Sequence, residues 1–118
     1  MTFDIIGLCR DEPGPATVLP ALAAAGEELG ADIRDERPLI RLLHPDGRLM
    51  ATVEDVHLVR VDGEARRVLG IGDDVAVPHP VWWVEVHAPD GDPEAEAVAR
   101  TFTTALVAGT GGLTWSNR

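Results

Sequence analysis

Apolar residues follow two rhythms along this chain, and the switches between them outline the elements. Residues 3–9, Phe-Asp-Ile-Ile-Gly-Leu-Cys, are apolar with β-branched members and predict a strand. Asp11-Glu12-Pro13-Gly14-Pro15 breaks it. Leu19, Leu22, Ala23, Gly26 and Leu29 then recur at three- and four-residue spacing, one face of a helix. Thr17 is the expected N-cap and Gly30 the stop, with Pro20 tolerated in the first turn.

Ala31 to Arg37 is polar and predicts a loop, or a short edge strand around Ile33. Leu39–His44 and Arg48–Glu54 flank Pro45-Asp46-Gly47, which predicts a β-hairpin. Alternation puts Leu49, Ala51 and Val53 on one face, and Arg48, Met50, Thr52 and Glu54 on the other. Val56–Val61 reads as a separate strand ended by Asp62-Gly63, and Glu64–Leu69 as one helical turn before Gly70. Residues 70–80, with Gly72-Asp73-Asp74 and Pro78-His79-Pro80, form the longest expected loop and so a candidate functional segment.

Val81–His87 is the strongest strand signal. Asp92 then caps a helix with Pro93 at its first position and Glu94 and Glu96 in its first turn, where they meet unpaired N–H groups and the positive dipole end. Ala95, Val98, Phe102, Ala105, Leu106 and Gly109 supply its buried stripe, Gly111-Gly112 ends it, and Leu113–Trp115 could add a last strand. The order β-α-β-β-β-β-α-β predicts an α+β fold: a two-layer sandwich with a mostly antiparallel sheet and two helices on one face. No linker or repeat divides residues 1–118, so a single domain is expected.

Composition narrows the function classes. Hydrophobic residues at 45 % and a mean hydropathy of +0.02 are globular values. Twenty acidic residues against ten basic ones leave a net charge of −10, and every basic residue is Arg. Arg in place of Lys, with abundant Ala, Gly, Val, Asp and Pro, is the habit of a high-GC bacterial genome. The acidity argues against nucleic acid and anionic membranes, which need basic surfaces, and permits a basic protein partner. The first residues carry no basic region before an apolar stretch, and no apolar run approaches the ~18 residues of a membrane span. A cytoplasmic address is the resulting expectation.

Catalytic and metal signatures are thin. Cys9 is the lone cysteine, expected buried. His44, His57, His79 and His87 show no metal-ligand spacing, although His57, His87 and Glu85 could meet across neighbouring strands. The carboxylate pairs Asp11-Glu12, Glu27-Glu28, Asp35-Glu36, Glu54-Asp55 and Asp73-Asp74 all sit at turns or exposed ends. Ser116 is the only serine, Tyr is absent, and Gly109-Thr110-Gly111-Gly112 lacks the Lys-[Ser/Thr] of a phosphate loop. No cofactor is expected.

Trp82 and Trp83 are the most informative local feature, because alternation sends their rings to opposite faces. Trp82, Val84 and Val86 point one way, and Val81, Trp83, Glu85 and His87 the other. On one reading Trp83, Val81, Glu85 and His87, with Arg41 and Arg48 of the hairpin, form a protein-binding surface, since exposed Trp near Arg is enriched in interfaces. On the other, Trp83 lies in a second, minor core beneath the 62–80 loop. The open face could also seal a homodimer. The expected function is thus a non-catalytic protein-interaction or accessory domain. The alternatives are a small-molecule-binding domain or small enzyme with its site at the 70–80 loop, or an immunity-type protein that neutralises a basic toxin.

Several segments recur together: Ile40-Arg41-Leu42, His44-Pro45-Asp46-Gly47-Arg48, Val68-Leu69-Gly70, Pro80-Val81-Trp82-Trp83-Val84-Glu85, Pro93-Glu94-Ala95-Glu96 and Gly111-Gly112-Leu113-Thr114-Trp115. In that order they resemble the N-terminal domain of an uncharacterised actinobacterial, Streptomyces-type family associated with type VII (ESX-like) secretion loci. The resemblance spans roughly residues 4–115, with the double Trp as its most specific motif. It implies a secretion-associated or accessory role and carries no catalytic residues.

Overall fold

The computed structural model describes residues 2–118. Its elements run β1 (Thr2–Cys9), α1 (Pro15–Ala25), β2 (Gly30–Ile33), β3 (Ile40–Leu43), β4 (Leu49–Val59), α2 (Glu64–Leu69), β5 (Val81–Pro89), α3 (Pro93–Thr110) and β6 (Gly112–Ser116). The six strands form one open antiparallel sheet in the order β2-β3-β4-β5-β1-β6. The α+β sandwich with two helices on one face is as expected. α1 and α3 pack against each other, and α3 lies across β1, β4 and β5.

Each element follows from local chemistry. α3 starts where Asp92 accepts a 3.1 Å hydrogen bond from the Ala95 N–H, with Pro93 next in the chain. It crosses β1 at Gly7, where an added Cβ would lie 3.4 Å from Thr103 and 3.5 Å from Val107. Those are ordinary contact distances, so α3 packs directly on the β1 backbone there. The buried hydroxyls of Thr103 and Thr110 donate to the carbonyls of Ala99 and Leu106 one turn back, so neither is left unpaired.

The main core lies between the sheet and these two helices. Phe3, Ile5, Cys9, Leu42, Met50, Ala51, Val53, Val84, Val86, Ala99, Phe102 and Leu106 are essentially inaccessible within it. Cys9 is the lone thiol; burial pushes it up despite a hydrogen bond involving Thr110.

Four details differ from the sequence reading. α1 begins two residues before Thr17, at Pro15, and ends at Gly26 rather than Gly30. Thr17 sits one turn in, where its hydroxyl accepts from the Gly14 N–H at 3.2 Å. Gly30 opens β2, so the edge strand, not the loop, is the right alternative for residues 30–33. The two strands expected at 48–54 and 56–61 are one long strand, β4, with an irregularity between Val53 and Asp55. That extra residue changes the parity: Val53 opposes Val86, but Asp55 opposes Glu85. A second irregularity in β3–β4 pairs Leu43 with Leu49 and Leu42 with Ala51, leaving Met50 between them and buried with Ala51. Alternation had assigned Met50 to the polar face.

Candidate functional site

β5 distributes its side chains as expected, with Trp82 toward the main core and Val81 and Trp83 on the other face. The expected exposure of Trp83 does not hold. Trp83 is 8 % and Val81 2 % accessible. Both belong to a second core with Ile6, Leu8 and Ala65, flanked by Val59, Leu69, Ile71, Val77, Leu113 and Trp115. The lid is α2 with the segment on either side of it. Arg66 pins this lid by donating to the carbonyls of Gly72 and Val75, the latter at 2.7 Å. His57 stacks on Trp83 at 5.9 Å between centroids, and the indole Nε1 donates to Glu85 at 3.2 Å. The second-core reading of Trp83 is therefore the correct one.

Beyond the lid the same face is polar. Asp32, Arg41, Thr52, His87 and Asp4 fall in one row across β2, β3, β4, β5 and β1. Arg41 reaches Asp32 at 3.6 Å. His87 Nδ1 lies 2.6 Å from Asp4, and its Nε2 lies 3.6 Å from Glu85. Burial alone would raise the Asp4 carboxyl, but hydrogen bonds from Thr2 and His87 and the charge of His87 outweigh it and hold it below its ordinary value. His57 opposes Trp83 whereas His87 opposes Thr52, so the two histidines do not meet. Among the described residues no group of His, Cys, Asp and Glu is arranged to hold a metal.

Arg48 is not on this face. It reaches the start of α3, bonding Asp92 at 2.7 Å and Glu94 at 2.5 Å. Of the six expected interface residues, the structure thus buries Val81 and Trp83, gathers Glu85, His87 and Arg41 on the polar half of the sheet, and separates Arg48. The groove at the 70–80 loop, between Val61, Arg66, Val77 and His79, holds about 40 Å³. That is about one water's share of liquid volume, ~30 Å³.

A larger concavity lies elsewhere, where the end of α1, the β3–β4 turn and the first half of α3 converge. It encloses about 500 Å³. Leu29, Met50, Ala25 and Val98 give it an apolar floor, and Glu27, Glu28, Glu94 and His44 give it a polar rim. Because α1 stops at Gly26, the exposed Glu27 and Glu28 stand just past the negative pole of the helix, whose last turn holds no basic residue. Neither forms an ion pair among the described residues. Asp46, in the turn beside the rim, accepts a backbone hydrogen bond from Arg48 at 2.8 Å, which with nearby positive charge holds its carboxyl low.

Sequence reasoning misses this cleft for two physical reasons. Periodicity carries the helix on through Glu27 and Glu28, which hides the turn they form. Strict alternation puts Met50, which lies beneath the cleft, on the opposite face. The readable signal was Gly26 followed by two acids and an apolar Leu29.

No protein-family model, curated protein or solved structure matches this chain. No helix among the described residues is long and apolar enough to cross a membrane.

Proposed function

We propose that this chain is a non-catalytic protein-interaction domain, that its partner is basic, and that the partner seats an Arg or Lys side chain in the cleft between α1, the β3–β4 turn and α3. The observation that carries this reading is the cleft's composition: an apolar floor beneath carboxylates, with no arginine among its lining residues. An aliphatic stem on Leu29 and Ala25 with a cationic head at Glu27 and Glu28 matches that division.

Charge accounting supports it. Seven of the ten arginines, Arg34, Arg37, Arg41, Arg48, Arg67, Arg100 and Arg118, already lie within 4.0 Å of acids of this chain. The surplus acid is therefore left to outside partners, and an acidic field speeds encounter with a basic one. The resemblance to secretion-associated proteins suggests products of type VII loci as the first partners to try, and a cytoplasmic setting is part of the same proposal. The alternative of a ligand or reaction site at the 70–80 loop draws no support from a 40 Å³ groove.

The test uses capped Gly-Arg-Gly and Gly-Lys-Gly peptides as probes, titrated into isotope-labelled protein and followed by amide chemical shifts. Shifts confined to Ala25–Leu29, His44, Ala97 and Thr101, absent with a citrulline peptide and lost in Glu27→Gln/Glu28→Gln, support the cleft. Shifts scattered over every acidic patch, or none, overturn it.

A further inference from the structure

The two edges of the sheet are guarded very differently. Edge strands expose unpaired N–H and C=O groups, and proteins usually blunt them with charges, proline, bulges or short length. β2 has four residues, and its Asp32 is paired with Arg41 across the ladder. β6, the opposite edge, runs Gly-Leu-Thr-Trp-Ser with no charge and no proline.

Hydrogen-bond parity shows which groups of β6 face outward. At one end of the β1–β6 ladder the Arg10 N–H donates to Gly111 at 2.8 Å, and at the other the Asn117 N–H donates to Asp4 at 3.0 Å. The register between them is continuous, from Ile5 opposite Ser116 to Cys9 opposite Gly112. Bonded and non-bonded pairs alternate in an antiparallel ladder. Residues 113 and 115 therefore bond inward to β1, and the backbone groups of Thr114 and Ser116 point away from the sheet.

We propose that this edge pairs with the β6 edge of a second copy of the chain, antiparallel and centred on Thr114. In that register Thr114 opposes Thr114 of the other copy and exchanges both backbone hydrogen bonds with it. Gly112 opposes Ser116, and Leu113 opposes Trp115. Leu113 and Trp115 are the half-buried flank of the second core. Facing each other across the new pair, they extend that core over the boundary as aromatic–aliphatic cross-strand contacts. The contact line also brings no like charges together, which few surfaces of a chain with net charge −10 can offer. The remaining repulsion between copies is long-range and screened by salt. A contact this small belongs to the weak class of interfaces, below ~1,200 Å².

The proposal is independent of the cleft, and peptide binding there survives its failure. The test is sedimentation of the whole chain up to about 500 µM, as suits a weak interface, at about 0.05 and 0.5 M NaCl. The wild type is expected to show a concentration-dependent dimer that strengthens at high salt. Thr114→Lys, an exposed position, is expected to be monomeric, although it lowers the net negative charge that opposes association. Should that variant misfold, the cysteine variants decide. Thr114→Cys places two thiols on Cα atoms ~5.5 Å apart, within disulfide reach, and is expected to link into dimers under mild oxidation. Ser116→Cys separates them by roughly 13 Å and is expected not to link. A wild type that stays monomeric in both salts, a Thr114→Lys dimer as strong as wild type, or linking through Ser116→Cys instead of Thr114→Cys overturns the proposal. The first of these leaves the edge to a strand of another protein.

Discussion

Trp83→Ala is expected to act on stability, and by a large amount. At 8 % exposure the indole hides ~200 Å² of mostly apolar surface. At about 25 cal/mol per Å², and with alanine retaining about a quarter of that burial, the loss is ~4 kcal/mol. That sits within the ~3–5 kcal/mol typical of Trp→Ala in cores. Trp83→Phe keeps most of the area and loses the Nε1 bond to Glu85, so about 1–2 kcal/mol is expected. The assay is urea unfolding followed by far-ultraviolet circular dichroism, which does not depend on the deleted indole. With a slope of about 1.5 kcal/mol per M, Trp83→Ala lowers the midpoint by about 2–3 M. A domain of this size has ~6–18 kcal/mol in hand, so the variant stays folded without denaturant when wild-type stability lies above the low end. A Trp83→Ala midpoint within about 0.5 M of wild type would refute the reasoning, because it would mean that the lid does not close over the ring. Any loss of binding in this variant therefore has to be read against its stability first.

Three further outcomes follow from named contacts. Asp92→Ala removes the α3 cap, and a loss of ~1 kcal/mol in urea unfolding is expected. Gly112→Ala is expected to be worse, about 1–3 kcal/mol: at φ +122° the new Cβ runs into the Leu8 carbonyl oxygen, so thermal melting and loss of Trp115 shielding should appear together. Asp4 titrates below its ordinary value of 3.8 in the fold, so it stabilises the protein above that pH and its contribution is lost as pH falls through the folded value. Asp4→Asn should therefore be the less stable form at pH 6, with the gap to wild type closing below about pH 4 in acid-titrated melts.

How far the sequence could be read depended on whether a local signal also named its partner. α3 was legible throughout because Asp92, Pro93 and Gly111 mark both ends by backbone chemistry that needs no tertiary contact. β4 was not, because periodicity assumes a regular pleat, and its two irregularities shift parity at Met50 and again after Val53. Read strictly, such a strand looks like two. The face taken by Trp83 followed from alternation, but its exposure depended on where residues 62–80 lie, and no pattern within β5 encodes that. The acid of the cleft was visible as Glu27-Glu28, while its floor was not, since Leu29 and Met50 meet only after α1 has stopped at Gly26.

Cys9 gives the molecule a built-in clock for its own opening. It is the only thiol, fully covered in the strand between β5 and β6, with α3 above the sheet. A thiol reagent can reach it only when the end of β1 parts from β5, β6 or α3, so the labelling rate in native buffer measures how often that part of the domain opens. A swinging of the α2 lid, which covers the opposite face, would leave the rate untouched. One unmodified residue thus separates opening on the helix side of the sheet from motion of the lid, without a tag or an engineered probe.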